Sequence, residues 1–241
     1  MRVLSWNILQ GGGKRAFDIS DAITEFKPDI AVLQEFRNGN SASPILDACK
    51  SLGLTNTHVT KSEPRKNTVM IASKFPMQIG TWEPSLDADL AVEASIDLDT
   101  DDNNANQLRL LVGHLPQKKA QVPYLDALYK MQLEADDHIM IIGDLNVGIP
   151  FEDSDTKSFV NTHMFQALLS KGWIDSWRSR NSDVKEFTWV SSARGNGYRY
   201  DHALCNKLLD NRIEKIQYDH SVRESKLSDH SALLVDFKLS A

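Results

Sequence analysis

The chain has 241 residues, 41% of them hydrophobic and 25% charged, and its formal net charge is −6. This composition is typical of a soluble globular protein, and the acidic balance disfavours a nonspecific nucleic-acid binder, which usually carries a basic excess. The only cysteines, Cys49 and Cys205, argue against a disulfide framework and a cysteine-based zinc knuckle. The sequence shows no signal-peptide pattern and no membrane-spanning run, which predicts a cytoplasmic protein.

In the first third of the chain, strands alternate with helices. Apolar runs typical of buried strands occupy residues 3–6, 30–35 and 68–73. A helical stripe is formed by Ile19, Ala22, Ile23 and Phe26. Pro28 ends that predicted helix, and a second helix over 43–53 closes at Gly53.

The remainder of the chain continues this mixture. Residues 90–98 and 108–115 read as hairpin arms around a polar loop. Helices are predicted over 118–135, with Leu125, Leu128 and Tyr129 on one face, and over about 157–171. Further strands are predicted at 138–144, 200–206, 212–219 and 232–239. The pattern predicts two packed sheets with helices outside, in one domain that covers residues 1–241.

Polar residues recur where the predicted strands begin or end. They are Asn7, Glu35, His114, Asp144, Asn146, Asp201, His202, Asp229 and His230. Each has an ordinary structural interpretation, such as a turn former or a surface acid. If the strand ends converge, however, the site is rich in oxygen donors, which suits Mg²⁺ or Mn²⁺ better than Zn²⁺. A metal ion and an imidazole together can catalyse the hydrolysis of a phosphate ester.

An ordered series of motifs carries a resemblance to a known family. The motifs are WN, PDIAVLQE, GDLN, YRYDH and SDHSALLVDF, spread from Asn7 to Phe237. This series resembles that of the endonuclease/exonuclease/phosphatase superfamily. The resemblance implies a DNase I-like fold, an α/β (α+β) four-layered sandwich of two mixed sheets with helices outside, and a metal-dependent phosphodiester hydrolase.

The resemblance also implies a role for each polar residue. Glu35, Asn7 and Asp229 would hold Mg²⁺ or Mn²⁺. Asp144 would position or deprotonate the attacking water, and Asn146 would hold the phosphate or the nucleophile. Asp201 would orient the imidazole of His230, and His230 would stabilise the developing charge. His114 would lie near the leaving oxygen.

The segment 172–202 resembles the exonuclease III and abasic-site endonuclease branch. In that branch a GLVD…R segment precedes TW, a basic loop and an R-aliphatic-D-aromatic motif. The corresponding substrate-binding candidates here are Trp189, Tyr198, Arg199 and Tyr200. Aromatic faces in such a wall suit a sugar or a base. Trp173 and Trp177 are interpreted instead as core residues.

Three features depart from that branch. No acid follows Asn7 closely, His114 stands where the branch usually has Tyr, and the chain is short and acidic. A His at that position resembles pancreatic deoxyribonuclease, sphingomyelinases and inositol-phosphate phosphatases. The GGGK run at 11–14 is either a phosphate-contacting loop or a tight turn. Local basic groups at 61–66, 117–119 and 178–180 are interpreted as solvated surface charges.

The sequence therefore predicts a monomeric nuclease that cuts DNA and leaves 5′-phosphate and 3′-hydroxyl ends. DNA repair or single-stranded DNA is its expected context. The alternative is a phosphodiesterase or phosphatase on a small-molecule or lipid phosphate ester, which the net charge of −6 and His114 favour. A non-catalytic binding module of the same fold is disfavoured by the intact set of polar residues.

Overall fold

The structure is a computed structural model that describes residues 1–60, 65–83, 85–98, 107–133 and 138–238. Its strands are β1 Arg2–Asn7, β2 Ile30–Phe36, β3 Asn56–Val59, β4 Thr68–Ser73, β5 Met77–Gly80, β6 Ala91–Asp97, β7 Gln107–His114, β8 His138–Asp144, β9 Ile174–Asp175, β10 Trp189–Val190, β11 Gly197–Tyr198, β12 Asp201–Cys205, β13 Ile213–Asp219 and β14 Ala232–Phe237. Its α-helices are α1 Ala16–Phe26, α2 Ala42–Ser51, α3 Val122–Lys130, α4 Thr162–Ser170, α5 Lys207–Asp210 and α6 Ser221–Glu224.

Two six-stranded mixed sheets form the framework of the molecule. One has the strand order β13-β14-β1-β2-β4-β3, and the other has the order β5-β6-β7-β8-β12-β9. Each sheet contains one parallel pair, β1 with β2 and β7 with β8, among antiparallel neighbours. Strands β10 and β11 form a separate short ribbon.

Three layers of apolar side chains separate four layers of secondary structure. The central layer joins the inner faces of the two sheets, with Val3, Val32, Val112 and Ile142 among its fully buried members. On the outer face of the first sheet, α1 and α2 cover a second cluster that includes Trp6 and Ile23. On the outer face of the second sheet, α3 and α4 cover a third cluster. This arrangement confirms the predicted four-layered α/β sandwich.

Two predicted helices are shorter than their apolar pattern indicated. The segment predicted as a helix over 118–135 is a 3-10 turn at Lys118–Gln121 followed by α3, which begins with Pro123 in its first turn. The chain is extended at Met131, and residues 134–137 lie outside the described ranges. Tyr129 was predicted on the buried face with Leu125 and Leu128, but it is 47% exposed.

The helix predicted over about 157–171 begins only at Thr162. The preceding segment is bound to β11 instead, because Asp155 exchanges hydrogen bonds with Gly197 and the hydroxyl of Ser158 bonds to that of Tyr198. The predicted hairpin is correct, since β6 and β7 pair antiparallel. Its polar loop lies largely in 99–106, outside the described residues. Within the described part of the chain, no helix is long and apolar enough to cross a membrane.

Strand direction and register bring the polar strand ends to one edge of the sandwich. The parallel pairs place Asn7 beside Gln34 and His114 beside Asp144. In the antiparallel pair of β8 and β12, Asp201 lies opposite Asp144. Asp229 and His230 come just before β14, which runs antiparallel to β1. The sheets therefore collect these residues from distant parts of the sequence.

Candidate active site

Asp201, His230 and Asp144 form a buried acid–base trio. The Nδ1 of His230 donates to Asp201 Oδ2 at 2.8 Å, and its Nε2 lies 3.7 Å from Asp144 Oδ2. Burial alone would lower the pKa of His230, but the two carboxylates outweigh it and raise the pKa to about 10. For Asp144 the effect of burial has the opposite sign and raises the pKa, although the charge of His230 opposes this shift. His230 is thus held as an imidazolium that faces a carboxylate of increased basicity.

Asn7, Glu35 and His114 stand against the same carboxylate. The side-chain amide of Asn7 donates to Asp144 Oδ2 at 3.1 Å and lies 3.5 Å from Glu35 Oε1. The Nε2 of His114 lies 3.7 Å from Asp144 Oδ2 and 3.9 Å from Glu35 Oε1. Glu35 adopts a φ of 55°, a left-handed conformation that is uncommon for a residue with a side chain. Such strain at a strand end is typical of functional positions.

Asn146 and Asp229 complete the set at its margins. Asn146 donates its backbone N–H to Asp144 Oδ1 at 3.2 Å, while its side chain bonds to Gln117 and to the Leu115 carbonyl. Asp229 Oδ2 accepts from Trp189 Nε1 at 2.9 Å. The structure therefore brings all of the predicted catalytic and metal-ligating residues to one edge, with Asp229 joined through Trp189.

The donor set fits a hard divalent cation. Among the described residues, Asp229 Oδ1 is buried without a hydrogen-bond partner, and Glu35 Oε1 has only long contacts, at 3.5 Å with Asn7 Nδ2 and at 3.9 Å with His114 Nε2. Carboxylate and amide oxygens are the ligands that Mg²⁺ and Mn²⁺ prefer. Atoms of Asp144, Asp201 and His230 also lie within 4.8 Å of one another. Asp201 already binds His230 Nδ1, which leaves Glu35, Asn7 and Asp229 as the residues that would hold such an ion.

An aromatic wall, formed by Trp189, Tyr198 and Tyr200, borders the acid–base trio. The two tyrosine rings stack with centroids 5.1 Å apart, and the indole lies 5.7 Å from the ring of Tyr200. The Tyr200 ring is 6.4 Å from that of His230. Phe159 packs edge-on against both tyrosines and fixes their orientation. Trp173 and Trp177 are buried, as predicted for core residues.

The prediction that Arg199 contacts substrate is wrong. Alternation along the extended chain turns Arg199 away from the face that carries Tyr198 and Tyr200. Its side chain is 1% exposed, and its Nη2 lies 2.6 Å from both Asp153 Oδ1 and Asp175 Oδ2. The guanidinium is part of the buried structure beneath the aromatic wall. His202 is likewise buried, with its Nε2 2.8 Å from the Val147 carbonyl, and it plays no direct part in the site.

The GGGK run is a tight turn, the second of the two predicted possibilities. The backbone N–H groups of Gly11, Gly12 and Gly13 all bond to carbonyl oxygens within the protein. Beside this turn lies a cleft of about 700 Å³, hereafter the basic cleft, lined among others by Lys14, Phe17, Arg37 and Arg65. Phe17 is 73% exposed there. A surface aromatic among three cationic side chains is unexpected in a chain with a net charge of −6.

Three supporting residues were missed from the sequence. Thr188 accepts the backbone N–H groups of Tyr200 and Asp201 on its hydroxyl, at 3.0 and 3.3 Å. The Tyr218 hydroxyl donates to the Asp201 carbonyl at 2.7 Å, and Gln117 donates to Asn146 Oδ1 at 2.9 Å. These residues hold the site through contacts between distant segments, and no local pattern signals them.

Fold and site together define a metal-dependent hydrolase of phosphate esters. The sequence profile of the Endonuclease/Exonuclease/phosphatase family matches residues 4–230. The chain belongs to this family, which confirms the predicted family and the predicted class of enzyme.

Solved structures with the same fold include several DNA-processing enzymes. An AP endonuclease from Archaeoglobus fulgidus is 20% identical, with a TM-score of 0.80 and 99% of each chain covered. A 3′-5′ exonuclease from Neisseria meningitidis is 20% identical, with a TM-score of 0.79, over 99% of this chain and 100% of that chain. A 3′ phosphatase from Neisseria, bound to a product DNA hairpin, is 19% identical with a TM-score of 0.79 and 99% of each chain covered. At these identities the likeness establishes the fold.

Proposed function

We propose that this protein is a Mg²⁺- or Mn²⁺-dependent nuclease that hydrolyses DNA phosphodiesters and leaves 5′-phosphate and 3′-hydroxyl ends. The observation that carries the proposal is the convergence of His230, Asp201 and Asp144 with Glu35 and Asn7 at one edge of the sandwich. Proton-handling groups and hard oxygen ligands are what phosphodiester hydrolysis requires. The structures with this fold include an AP endonuclease, a 3′-5′ exonuclease and a 3′ phosphatase bound to a product DNA hairpin, which supports the choice of substrate.

In this mechanism, different residues carry out proton transfer and charge stabilisation. Asp144, whose pKa burial raises, is placed to orient or accept a proton from the attacking water. His230, protonated at neutral pH, stabilises the negative charge that develops on the phosphate. Asp201 fixes the orientation of His230 through its 2.8 Å hydrogen bond. His114 Nε2 lies 3.7 Å from the same Asp144 oxygen that His230 faces, and we propose that it serves the leaving oxygen.

Glu35, Asn7 and Asp229 would hold the cation, which supplies charge neutralisation for the phosphate oxygens. Asn146 borders the same position and contributes a polar contact to the phosphate. The exposed parts of Trp189, Tyr198 and Tyr200 receive a sugar or base next to the reacting phosphate. An unpaired or damaged nucleotide reaches such a wall more easily than a stacked one. Single-stranded or damaged DNA is therefore the proposed substrate.

The proposal extends to the whole chain and its setting. Both sheets contribute side chains to the central core and to the site, which supports residues 1–241 as one catalytic domain, and we propose that it acts as a monomer. Cys49 and Cys205 are unpaired and buried, and burial raises the pKa of each thiol to about 12. Such inert thiols are compatible with a cytoplasmic location.

A second candidate is hydrolysis of a small-molecule or lipid phosphate ester. The net charge of −6 favours it, because an acidic protein gains little from long-range attraction to DNA. The placement of a histidine, His114, against Asp144 also agrees with that branch of the resemblance.

One substrate panel separates the two candidates. Labelled single-stranded, duplex, nicked and abasic oligonucleotides are incubated with Mg²⁺ or Mn²⁺, with chelator as the control, beside bis-p-nitrophenyl phosphate. Metal-dependent cutting of DNA with 3′-hydroxyl ends is the expected result. Hydrolysis of the small ester with all oligonucleotides intact would replace the nuclease proposal by the second candidate.

A further inference from the structure

The segment that follows Asn7 has an unusual backbone. Leu9, Gln10, Gly11, Gly12 and Gly13 have consecutive φ values of 53°, 54°, 70°, 72° and 52°. Residues with side chains visit this left-handed region singly, because Cβ crowds the following carbonyl. A continuous left-handed turn that includes Leu9 and Gln10 must therefore be held by its surroundings.

The amides of this Leu9–Gly13 turn are directed at Asn7 and Glu35, two of the three residues proposed to hold the metal. The Leu9 N–H donates to Asn7 Oδ1 at 3.1 Å, and the Gln10 N–H donates to Glu35 Oε2 at 2.8 Å. The Gly11 N–H then donates to the backbone carbonyl of Glu35 at 2.7 Å. Three successive N–H groups thus fix the side chain of Asn7 and both the carboxylate and the backbone carbonyl of Glu35.

Glycine is required inside the turn for close packing as well as for backbone freedom. A Cβ on Gly11 would lie 2.8 Å from Arg37 Cβ, and one on Gly12 would lie 2.6 Å from Ile19 Cδ1. The turn is also held from its other side, since Arg15 Nη2 donates to the Leu9 carbonyl at 2.7 Å. The two glycine contacts place the turn directly against Arg37, which follows β2, and against α1.

We propose that the Leu9–Gly13 turn is a positioning element for the metal site. The Gln10 N–H occupies Oε2 of Glu35, which would leave Oε1 to hold a cation, while the Leu9 N–H fixes the rotamer of Asn7. A ligand whose orientation is fixed before the ion arrives binds it more tightly. This inference rests on the proposed function, because it takes Glu35 and Asn7 as ligands.

The test is the affinity of the metal-free protein for Mn²⁺, measured by electron paramagnetic resonance of the free ion. Gly12→Ala should weaken Mn²⁺ binding by about tenfold or more, the range seen when groups that orient ligands are removed. The matched control is Gly53→Ala, at the end of α2. Its φ of 82° imposes similar backbone strain, but no described atom lies within 4 Å of the added Cβ. Its Mn²⁺ affinity should stay within about twofold of wild type.

A double-mutant cycle shows whether the turn acts through Glu35. In the Glu35→Gln background, adding Gly12→Ala should weaken Mn²⁺ binding by a smaller factor than it does in the wild type, because one of the two positioned ligands is already gone. Full additivity of the two substitutions would overturn the proposal. So would a folded Gly12→Ala protein that binds Mn²⁺ as wild type does.

The outcomes distinguish this inference from the proposed function. If Glu35→Gln weakens Mn²⁺ binding and Gly12→Ala does not, the positioning role is wrong and the metal assignment stands. If the wild type binds no Mn²⁺ and cuts no substrate, both are wrong. Should Gly12→Ala fail to fold, the cycle is run with Gly13→Ala. Gly13 shares the left-handed backbone, and a Cβ there meets no described atom within 4 Å.

Discussion

At the scale of single residues, His230 is the group whose chemistry depends most on its neighbours. We expect His230→Ala to lower kcat by about 10²–10⁴-fold, the usual contribution of a proton-handling residue. Because the fold rests on the sheets and their apolar layers, the circular dichroism spectrum should be unchanged. His163→Ala, at an exposed position on α4, is the matched control and should retain activity. Wild-type turnover by the His230 variant would remove this residue from the mechanism.

The buried ion pairs of Arg199 make a second residue-scale prediction. Burial alone would raise the pKa of Asp175, but Arg199 and His202 outweigh it and hold that pKa well below its usual range. We expect Asp175→Asn to lower the free energy of unfolding at pH 7 by about 3–5 kcal/mol, as when a buried pair is broken. A depressed pKa stabilises the fold above the unfolded value of about 3.9, and the stabilisation is lost as pH falls toward the folded value.

Denaturant titrations at several pH values measure this effect. The difference between wild type and Asp175→Asn should be constant from about pH 7 to pH 5 and should shrink below about pH 4. Asp126→Asn supplies a control with the same chemical change, because Asp126 pairs with Lys130 on an exposed face of α3. It should cost less than about 1 kcal/mol. Equal losses for the two variants would mean that the buried network adds no special stability.

At the scale of elements, the sequence predicts where strands end but not the direction in which each side chain points. The apolar runs that end at Glu35 and Asp144 identify both strands and both polar residues at their ends, because the switch from apolar to polar is local in sequence. Arg199 was misassigned because its partners, Asp153 and Asp175, are 46 and 24 residues away. The turn after Asn7 was predicted only as one of two possibilities, since its glycines allow several conformations and contacts with distant Glu35 and Arg37 help to select one.

Gly113 and Gly143 allow β7 and β8 to approach each other closely near their C-terminal ends. Gly143 has a φ of 140°, and a Cβ there would lie 2.0 Å from the carbonyl oxygen of Gly113 on the neighbouring strand. We expect Gly143→Ala to lower the free energy of unfolding by more than about 2 kcal/mol, because backbone must move to relieve the clash. Activity should fall as well, since His114 and Asp144 end these two strands.

Gly80→Ala, in the edge strand β5, is the control for that substitution. Its added Cβ would make an ordinary contact at 3.7 Å with Glu93 Cβ. Thermal melts and turnover of both variants should therefore separate them clearly. A Gly143 variant as stable and active as the Gly80 variant would show that the close approach of the strands is not needed.

At the scale of the whole molecule, net charge gives a misleading picture of binding to DNA. Of the basic groups noticed in the sequence, Arg178 and Arg180 pair with Asp153 and Asp210, and Arg199 is buried. Lys14 and Arg65, from two other runs noticed in the sequence, meet Arg37 in the basic cleft next to the turn that holds Glu35. Only the folded chain brings them together, so composition could not reveal a local positive surface on a protein with a charge of −6.

Salt dependence measures whether this cleft receives a DNA strand. Each phosphate neutralised by a cation contributes roughly −0.7 to the slope of log affinity against log salt for single strands. Replacing Lys14, Arg37 and Arg65 together by Gln should therefore make the slope shallower by about 2. Binding of a labelled single strand, followed by fluorescence anisotropy with the metal removed by chelator, provides the measurement without turnover.

The control must change the total charge by the same amount at a distance from the cleft. Gln at the exposed positions Lys50, Lys207 and Lys215 meets this requirement, since none of these residues lines the cleft. If the slope depends on the local arrangement, this triple variant should bind with a slope close to that of wild type. If both triple variants lose the same slope, the attraction is a property of net charge alone, and a strand bound at the aromatic wall must leave the protein by another route.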